Sequence, residues 1–203
     1  MSARAAGLAG ALTLLCLDPF SAFAAAAAAP SAQADPAFAQ VLTLLAARRH
    51  GHAPFTEVHE MAMLKEPLRS SGELFYDAPD RLEKRTLTPS AESLVLDHGI
   101  LTAQRGPHRH VLELSAYPQV VPFVESIRAT LAGDEAALER YFSIDFQGEL
   151  AHWTLHLTPK DPALAHTVKD ITIEGERDVL HSVVIRQSDG DRSLITIGPE
   201  ITP

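Results

Sequence analysis

Apolar and polar residues alternate along most of this chain, and the period of the alternation changes from helical to extended and back. The first apolar stripe recurs at helical spacing: Phe38, Val41, Leu42 and Leu45 share one face of a segment from Pro36 to Arg49. Asp35 is placed to cap its start, Pro36 takes the first helical position, and Arg48-Arg49-His50 fall at the negative end of the helix dipole. Gly51 is read as its stop. Period-two segments follow, separated by turn residues. They are Phe55–Leu64, with Phe55, Met61 and Met63 on one face; Gly72–Asp77, with Leu74 and Tyr76; and Leu82–Thr88. Glu92–Asp97, with Leu94 and Leu96, Ile100–Gln104, and His110–Leu114, with Leu112 and Leu114, continue the series. Ala78-Pro79-Asp80, Pro89 and His98-Gly99 punctuate these segments, and Ser70-Ser71-Gly72 reads as a further turn.

Helical periodicity then returns. Pro122–Leu131 carries Phe123, Val124, Ile127 and Leu131 and stops at Gly133, and Asp134 opens a shorter helix with Leu138, Tyr141 and Phe142. Strands resume at Ile144–Glu149, His152–Leu157, Lys169–Glu174, Val179–Gln187 and Arg192–Gly198. Ser188-Asp189-Gly190-Asp191 is a hairpin signal, because glycine accepts the positive φ that such turns need. Short strands joined by local turns predict an antiparallel meander, since parallel strands require long crossovers. The fold class is α+β, with one large antiparallel sheet of about eleven strands and three helices.

The N-terminus adds a compartment. Met1-Ser2-Ala3-Arg4 is a basic tip, Ala5–Leu17 is an uncharged apolar run, and Ala22-Phe23-Ala24 is a small-x-small site. These are the parts of a cleavable secretory signal, so residues 1–24 are expected to be removed, with a later cut in the alanine run to Ala29 as the alternative. The run is shorter than the roughly 18–20 residues that span a bilayer. Leu15 stands just before Cys16, where a lipoprotein signal needs a small residue, so Cys16 is read as part of the apolar run. It is the chain's single cysteine, and its loss excludes thiol catalysis and Cys-ligated zinc. Residues 25–35 read as a linker and 36–203 as one domain, long enough to bury a core without staples. The whole chain has 17 basic and 26 acidic residues; losing Arg4 and Asp18 with the leader keeps the net charge at −9. That charge disfavours nucleic acid and anionic lipid head groups as partners.

Candidate chemistry is sparse. His108/His110 and His152/His156 are pairs on single strand faces, and His50 and His52 flank the turn after the first helix, whereas a catalytic zinc wants three convergent ligands. The histidines are read as surface residues and no metal site is expected. There is no Gly-x-Ser-x-Gly elbow, no Ser-x-x-Lys and no glycine-rich phosphate loop. Glu57 with Glu60 and Asp189 with Asp191 read as solvated carboxylates. No catalytic residue and no cofactor are expected, and a hydrolase or metalloprotein built on the histidine pairs is the least favoured reading.

What remains is apolar geometry. The sheet has one strongly apolar face, and two arrangements satisfy the pattern. Either the helices fill that face and make a plain core, in a protein acting through its surface as a non-transporting envelope interaction module, or they enclose a space for an apolar ligand.

The motif order Phe55-Thr56-Glu57-Val58-His59, Gly72-Glu73-Leu74-Phe75-Tyr76-Asp77-Ala78-Pro79-Asp80-Arg81-Leu82, Thr88-Pro89 and Leu94-Val95-Leu96-Asp97-His98-Gly99 resembles the outer-membrane lipoprotein carrier family of the LolA/LolB type. Leu131-Ala132-Gly133-Asp134, the segment Trp153–Pro159 and Asp189-Gly190-Asp191 follow in the family's order. The resemblance implies an incomplete antiparallel β-barrel around an apolar cavity under lid helices. It further implies a periplasmic, monomeric carrier without a cofactor, which takes acylated lipid or lipoprotein cargo from an inner-membrane donor to an outer-membrane acceptor. On this reading the cavity is lined by Phe55, Met61, Met63, Leu74, Tyr76, Leu82, Leu94, Leu96, Leu112, Leu114, Phe123, Trp153 and Leu155, the methionines supplying deformable surface. Ala78 stands where the best-known carriers have an arginine before the proline that ends the second strand, and His98 separates Asp97 from Gly99. Both departures mark a divergent relative with an acylated cargo of its own.

Overall fold

The structure, a computed structural model, describes residues 35–117 and 121–201. The expected signal peptide and all of the linker except Asp35 lie outside the described residues. Helix α1 spans Pro36–Ala47, and the Asp35 carboxylate accepts from Ala37 N at 2.8 Å as its cap. Six strands follow: β1 His50–Glu60, β2 Leu68–Asp77, β3 Arg81–Thr88, β4 Glu92–Asp97, β5 Ile100–Arg105 and β6 His108–Glu113. A 3-10 turn at Leu114–Ala116 precedes helices α2 Val121–Ala132 and α3 Glu135–Tyr141. The chain continues through β7 Phe142–Glu149, β8 His152–Pro159, helix α4 Pro162–Ala165, β9 Val168–Glu176, β10 Val179–Gln187 and β11 Arg192–Ile197.

All eleven strands form one open antiparallel sheet in the order β6-β5-β4-β3-β2-β1-β11-β10-β9-β8-β7. The chain meanders outward from β1 to the edge strand β6, then crosses to the opposite edge at β7 and meanders back until β11 pairs with β1. The connection from β6 to β7 must therefore travel the full width of the sheet, and it carries α2 and α3 with it. A connection of this kind runs over one face, and so the topology itself places the helices above the apolar side.

The two halves of that face differ. Over β7–β9, the row Phe142, Trp153, Leu155, Leu157, Ile171 and Ile173 is fully buried and packs with Phe38, Val41, Leu42 and Leu45 of α1. The Phe38 and Phe146 rings lie 5.1 Å apart. Helix α2 packs on α1 and α3. Beyond Pro122, its buried residues Ser126, Ala129 and Thr130 are small, and the two hydroxyls donate to its own backbone at Phe123 O (2.7 Å) and Ser126 O (2.6 Å). Small, self-satisfied residues allow close approach. Gly133, with φ 64°, ends the helix so tightly against α1 that a Cβ there would stand 2.3 Å from Leu42 O.

Several local expectations are corrected. The first helix stops at Ala47, because Arg48 already has extended backbone (φ −74°, ψ 123°). Gly51 lies inside β1, which begins at His50 and pairs with β2 from His50↔Asp77 to His59↔Leu68. The same register makes Ser70-Ser71-Gly72 strand and not turn. Glycine is needed at position 72 because a Cβ would stand 1.9 Å from Arg85 O, beside a register shift between β2 and β3. His50 and His52 are accordingly strand residues: His50 pairs with Asp77 at 2.9 Å and His52 stacks on Phe75 with ring centroids 4.3 Å apart. The structure adds a fourth helix, α4, capped by Asp161 ahead of Pro162; its four residues are too few to show a helical period.

Candidate functional site

Over β2–β5 the sheet is covered without being filled. Directly paired antiparallel residues share a face, and the register aligns Leu74 with Lys84 and Leu94, Tyr76 with Leu82 and Leu96, and Leu96 with Leu101. Strand β1 adds Gly51 and Ala53 to this row, opposite Tyr76 and Leu74, where the filled half of the sheet has Trp153 and Leu155. The small residues leave a gap that α2, held by α1 and α3, does not close. The result is a cavity of about 530 Å³, roofed by Phe123, Val124, Ile127 and Leu131 of α2 and walled on the far side by Leu180, Val183, Ile185 and Ile195. Its size lies within the roughly 300–1,000 Å³ of small-molecule sites.

Of the lining residues expected from sequence, Leu74, Tyr76, Leu82, Leu94, Leu96 and Phe123 line this cavity. Phe55, Trp153 and Leu155 belong instead to the filled core, because α1 packs against their part of the sheet. Leu112 is half-buried on β6 opposite Leu101, and Leu114 is buried in the 3-10 turn; neither lines the cavity. Met61 and Met63 lie beyond the end of β1 in its hairpin turn, and Met63 is 92% exposed. The turn is held by Ala62 N donating to Asp191 at 2.9 Å, which keeps both methionines away from the enclosed face.

Polar side chains reach the lining at several points, among them Glu57 on β1. The Glu57 carboxylate accepts from the Lys84 ammonium, from Ser193 Oγ at 2.7 Å and from Ser70 Oγ at 3.1 Å. Burial alone would raise its pKa, but these three donors and the lysine's charge outweigh it and hold the carboxyl below its ordinary value. Glu57 is thus a paired cavity group, whereas Glu60 is exposed and meets Arg192 at 3.3 Å. The signal was present as parity: Glu57 is two residues from Phe55, and Lys84 two from Leu82.

Two further features border the cavity. The Tyr76 hydroxyl is buried and has no hydrogen-bond partner among the described residues; burial raises its pKa, opposed in part by Arg128 and Arg49. Arg48 is held by Asp178 at 3.2 Å and Glu200 at 2.5 Å. Away from it, Asp80, Asp97 and His98 converge in the exposed β2–β3 and β4–β5 turns, and Asp97 holds the His98 pKa above its usual value with help from Asp80. His108 and His110 are exposed on edge strand β6. His152 and His156 face away from Trp153 and Leu155, with His156 at 3.1 Å from Thr172 Oγ1.

An open antiparallel sheet, filled over one half and hollow over the other beneath a crossing helix, defines a half-barrel with a largely apolar cavity that is partly open to solvent. The chain matches the family described as outer membrane lipoprotein carrier protein LolA-like over residues 26–198, and it belongs to that family. No curated protein matches it. Among solved structures it is similar to a LolA superfamily protein from Nitrosomonas europaea, with 8% identity over 80% of this chain and 92% of that one and a TM-score of 0.45. It is also similar to the MucA/MucB complex of Pseudomonas aeruginosa, with 16% identity over 81% of this chain and 56% of that one and a TM-score of 0.46. A lipoprotein-sorting protein domain from Vibrio parahaemolyticus is 10% identical over 81% of this chain and 90% of that one, with a TM-score of 0.43. Among the described residues, no helix is long and apolar enough to cross a membrane.

Proposed function

We propose that this protein is a periplasmic carrier that reversibly holds the acyl chain of a lipoprotein or another acylated lipid and moves it toward the outer membrane. The observation that supports this reading is the cavity between α2 and the sheet, whose exposed wall is mostly apolar side chain. Burying an acyl chain gains about 0.8 kcal/mol per CH₂, so a carrier needs apolar area more than directed polar contacts. The family's description as a lipoprotein carrier points the same way. Residues 1–24 act as the cleavable leader and 25–35 as the linker, a division supported by the family match that begins at residue 26. Release to an acceptor requires no covalent step, because the helix roof rests on α1 and α3 and its side chains alone close the space. Native mass spectrometry of the protein purified from its own periplasm tests the reading. The expected spectrum has the mass of the leader-free chain plus a lipid adduct that organic extraction removes. A leader-free chain with no adduct, together with no saturable binding of a fluorescent acyl probe, would retire the carrier in favour of an interaction module acting through its surface.

A further inference from the structure

An apolar cavity is expensive to furnish with an ion pair, since both charges lose water when they enter it. The Glu57–Lys84 pair nevertheless faces this cavity, and it is supported from β2 by Ser70 and from β11 by Ser193. Glu57 and Ser70 are opposite one another, as are Gly51 and Tyr76, so the Glu57 backbone lies six residues along β1 from the Tyr76 row. At roughly 3.3 Å per residue that separation is about 20 Å. Lys84 stands opposite Leu74, two residues from the Tyr76 row, and reaches along the sheet to Glu57. On the same face Ala53, Leu74 and Leu82 are apolar. The cavity therefore joins an apolar row to two polar groups, Arg48 with Asp178 and Glu200 at the Gly51 end and the Glu57–Lys84 pair farther along β1.

The donors of the Glu57–Lys84 pair are not all used. An ammonium carries three N–H donors, and among the described residues the Lys84 ammonium donates to Glu57 and lies 5.1 Å from the centroid of the Phe55 ring. An acceptor oxygen on a ligand can therefore still be taken. Its charge is another matter. Glu57 already neutralises Lys84, and a second carboxylate brought to the same ammonium would meet the Glu57 carboxylate at close range with little water between them. An ester or amide carbonyl accepts the same hydrogen bond without that repulsion.

We infer that Glu57, Lys84, Ser70 and Ser193 form a head-group subsite that takes the uncharged carbonyl of an acyl ester or amide and discriminates against free fatty acids. The inference rests on the carrier reading and narrows its cargo class. Lys84 supplies the donor, Glu57 cancels the charge that would otherwise attract a carboxylate, and the two serines hold Glu57 in place.

The test compares cis-parinaric acid with its methyl ester, two intrinsically fluorescent probes with the same chain. Titrations are run at about pH 8, where a carboxyl with an ordinary pKa near 4.3 is ionised. The wild type is expected to bind the ester more tightly than the acid. Glu57→Gln leaves Lys84 unneutralised, so the acid should gain about tenfold relative to the ester, a change of 1.4 kcal/mol in relative affinity. Because the readout is the ratio of the two probes, a misfolded variant that bound both through exposed apolar surface would not imitate it. The double variant Glu57→Gln/Lys84→Met keeps the site uncharged and should lose that gain. An acid-to-ester ratio unchanged by Glu57→Gln, with both probes bound, overturns the subsite and leaves the carrier standing. Absence of binding by either probe to the wild type overturns both.

Discussion

The Trp153 indole lies across Gly175, its antiparallel partner on β9, so closely that a Cβ at position 175 would stand 2.3 Å from Trp153 Cζ2. The indole N–H donates to Arg177 O at 3.1 Å, and the side chain is buried. Ring, glycine and carbonyl form one fixed arrangement at the floor of the filled half. Gly175→Ala should push the ring off its seat and cost about 1–3 kcal/mol, the range for overpacked cores. Trp153 is the chain's single tryptophan, so its emission follows both the displacement and the denaturant-induced unfolding. A wild-type emission maximum with an unchanged unfolding midpoint would mean that the close approach is not structural.

Acid should weaken the protein through Glu57. Its carboxyl titrates lower in the folded chain than the ordinary value near 4.3 of an unfolded one. Stability from a depressed carboxyl is fully present above the unfolded pKa and is lost as the pH falls through the folded pKa. Urea midpoints measured from about pH 7 down to pH 3 should therefore fall below about pH 5, and Glu57→Gln should flatten part of that fall. Facing the group are Lys84, Ser70 and Ser193, with His59 two residues along the same face of β1, so the difference between the wild-type and Glu57→Gln curves is what assigns the flattening to Glu57. A parallel fall in the variant would remove Glu57 from the acid response.

Strand number, strand order in the chain and the α2 stripe were legible because alternation and turn residues are local. Asp35 and Pro36 announced α1 as plainly as Gly133 announced the end of α2. Cavity membership was not local. Leu94 and Leu155 have the same period and similar neighbours in sequence, yet one faces a gap and the other a packed helix. What separates them is the topology, which lays α1 over one half and α2, at a distance, over the other. Met61 and Met63 kept the parity of Phe55 past Glu60, but β1 ends there and parity has no meaning in a turn. Glu57 shows the opposite error: the same parity put it on the enclosed face, and its charge argued it outward. The charge is tolerated because Lys84, on the same face of β3, arrives to pair with it.

The difference between the filled and the hollow halves gives the last prediction. Leu155 is 2% exposed among Phe38, Phe55, Trp153 and Ile173, and Leu155→Ala opens a void among atoms already in contact. That change should cost about 2–5 kcal/mol. Leu94 lines the cavity and is 36% exposed, so Leu94→Ala removes little packing and should cost about 1 kcal/mol or less. Enlargement reverses the contrast. A phenylalanine at position 155 has no room and should bring strain of about 1–3 kcal/mol, whereas at position 94 it can extend into existing space with little loss of stability. That same ring then occupies volume an acyl chain would use, so Leu94→Phe should weaken an acyl probe while unfolding near the wild-type midpoint. Denaturant curves and probe titrations on the four variants decide the matter together. If Leu94→Ala proved as costly as Leu155→Ala, the space beneath α2 would be packed in solution and could hold no chain; near-native stability with lost binding in Leu94→Phe is the outcome the hollow half requires.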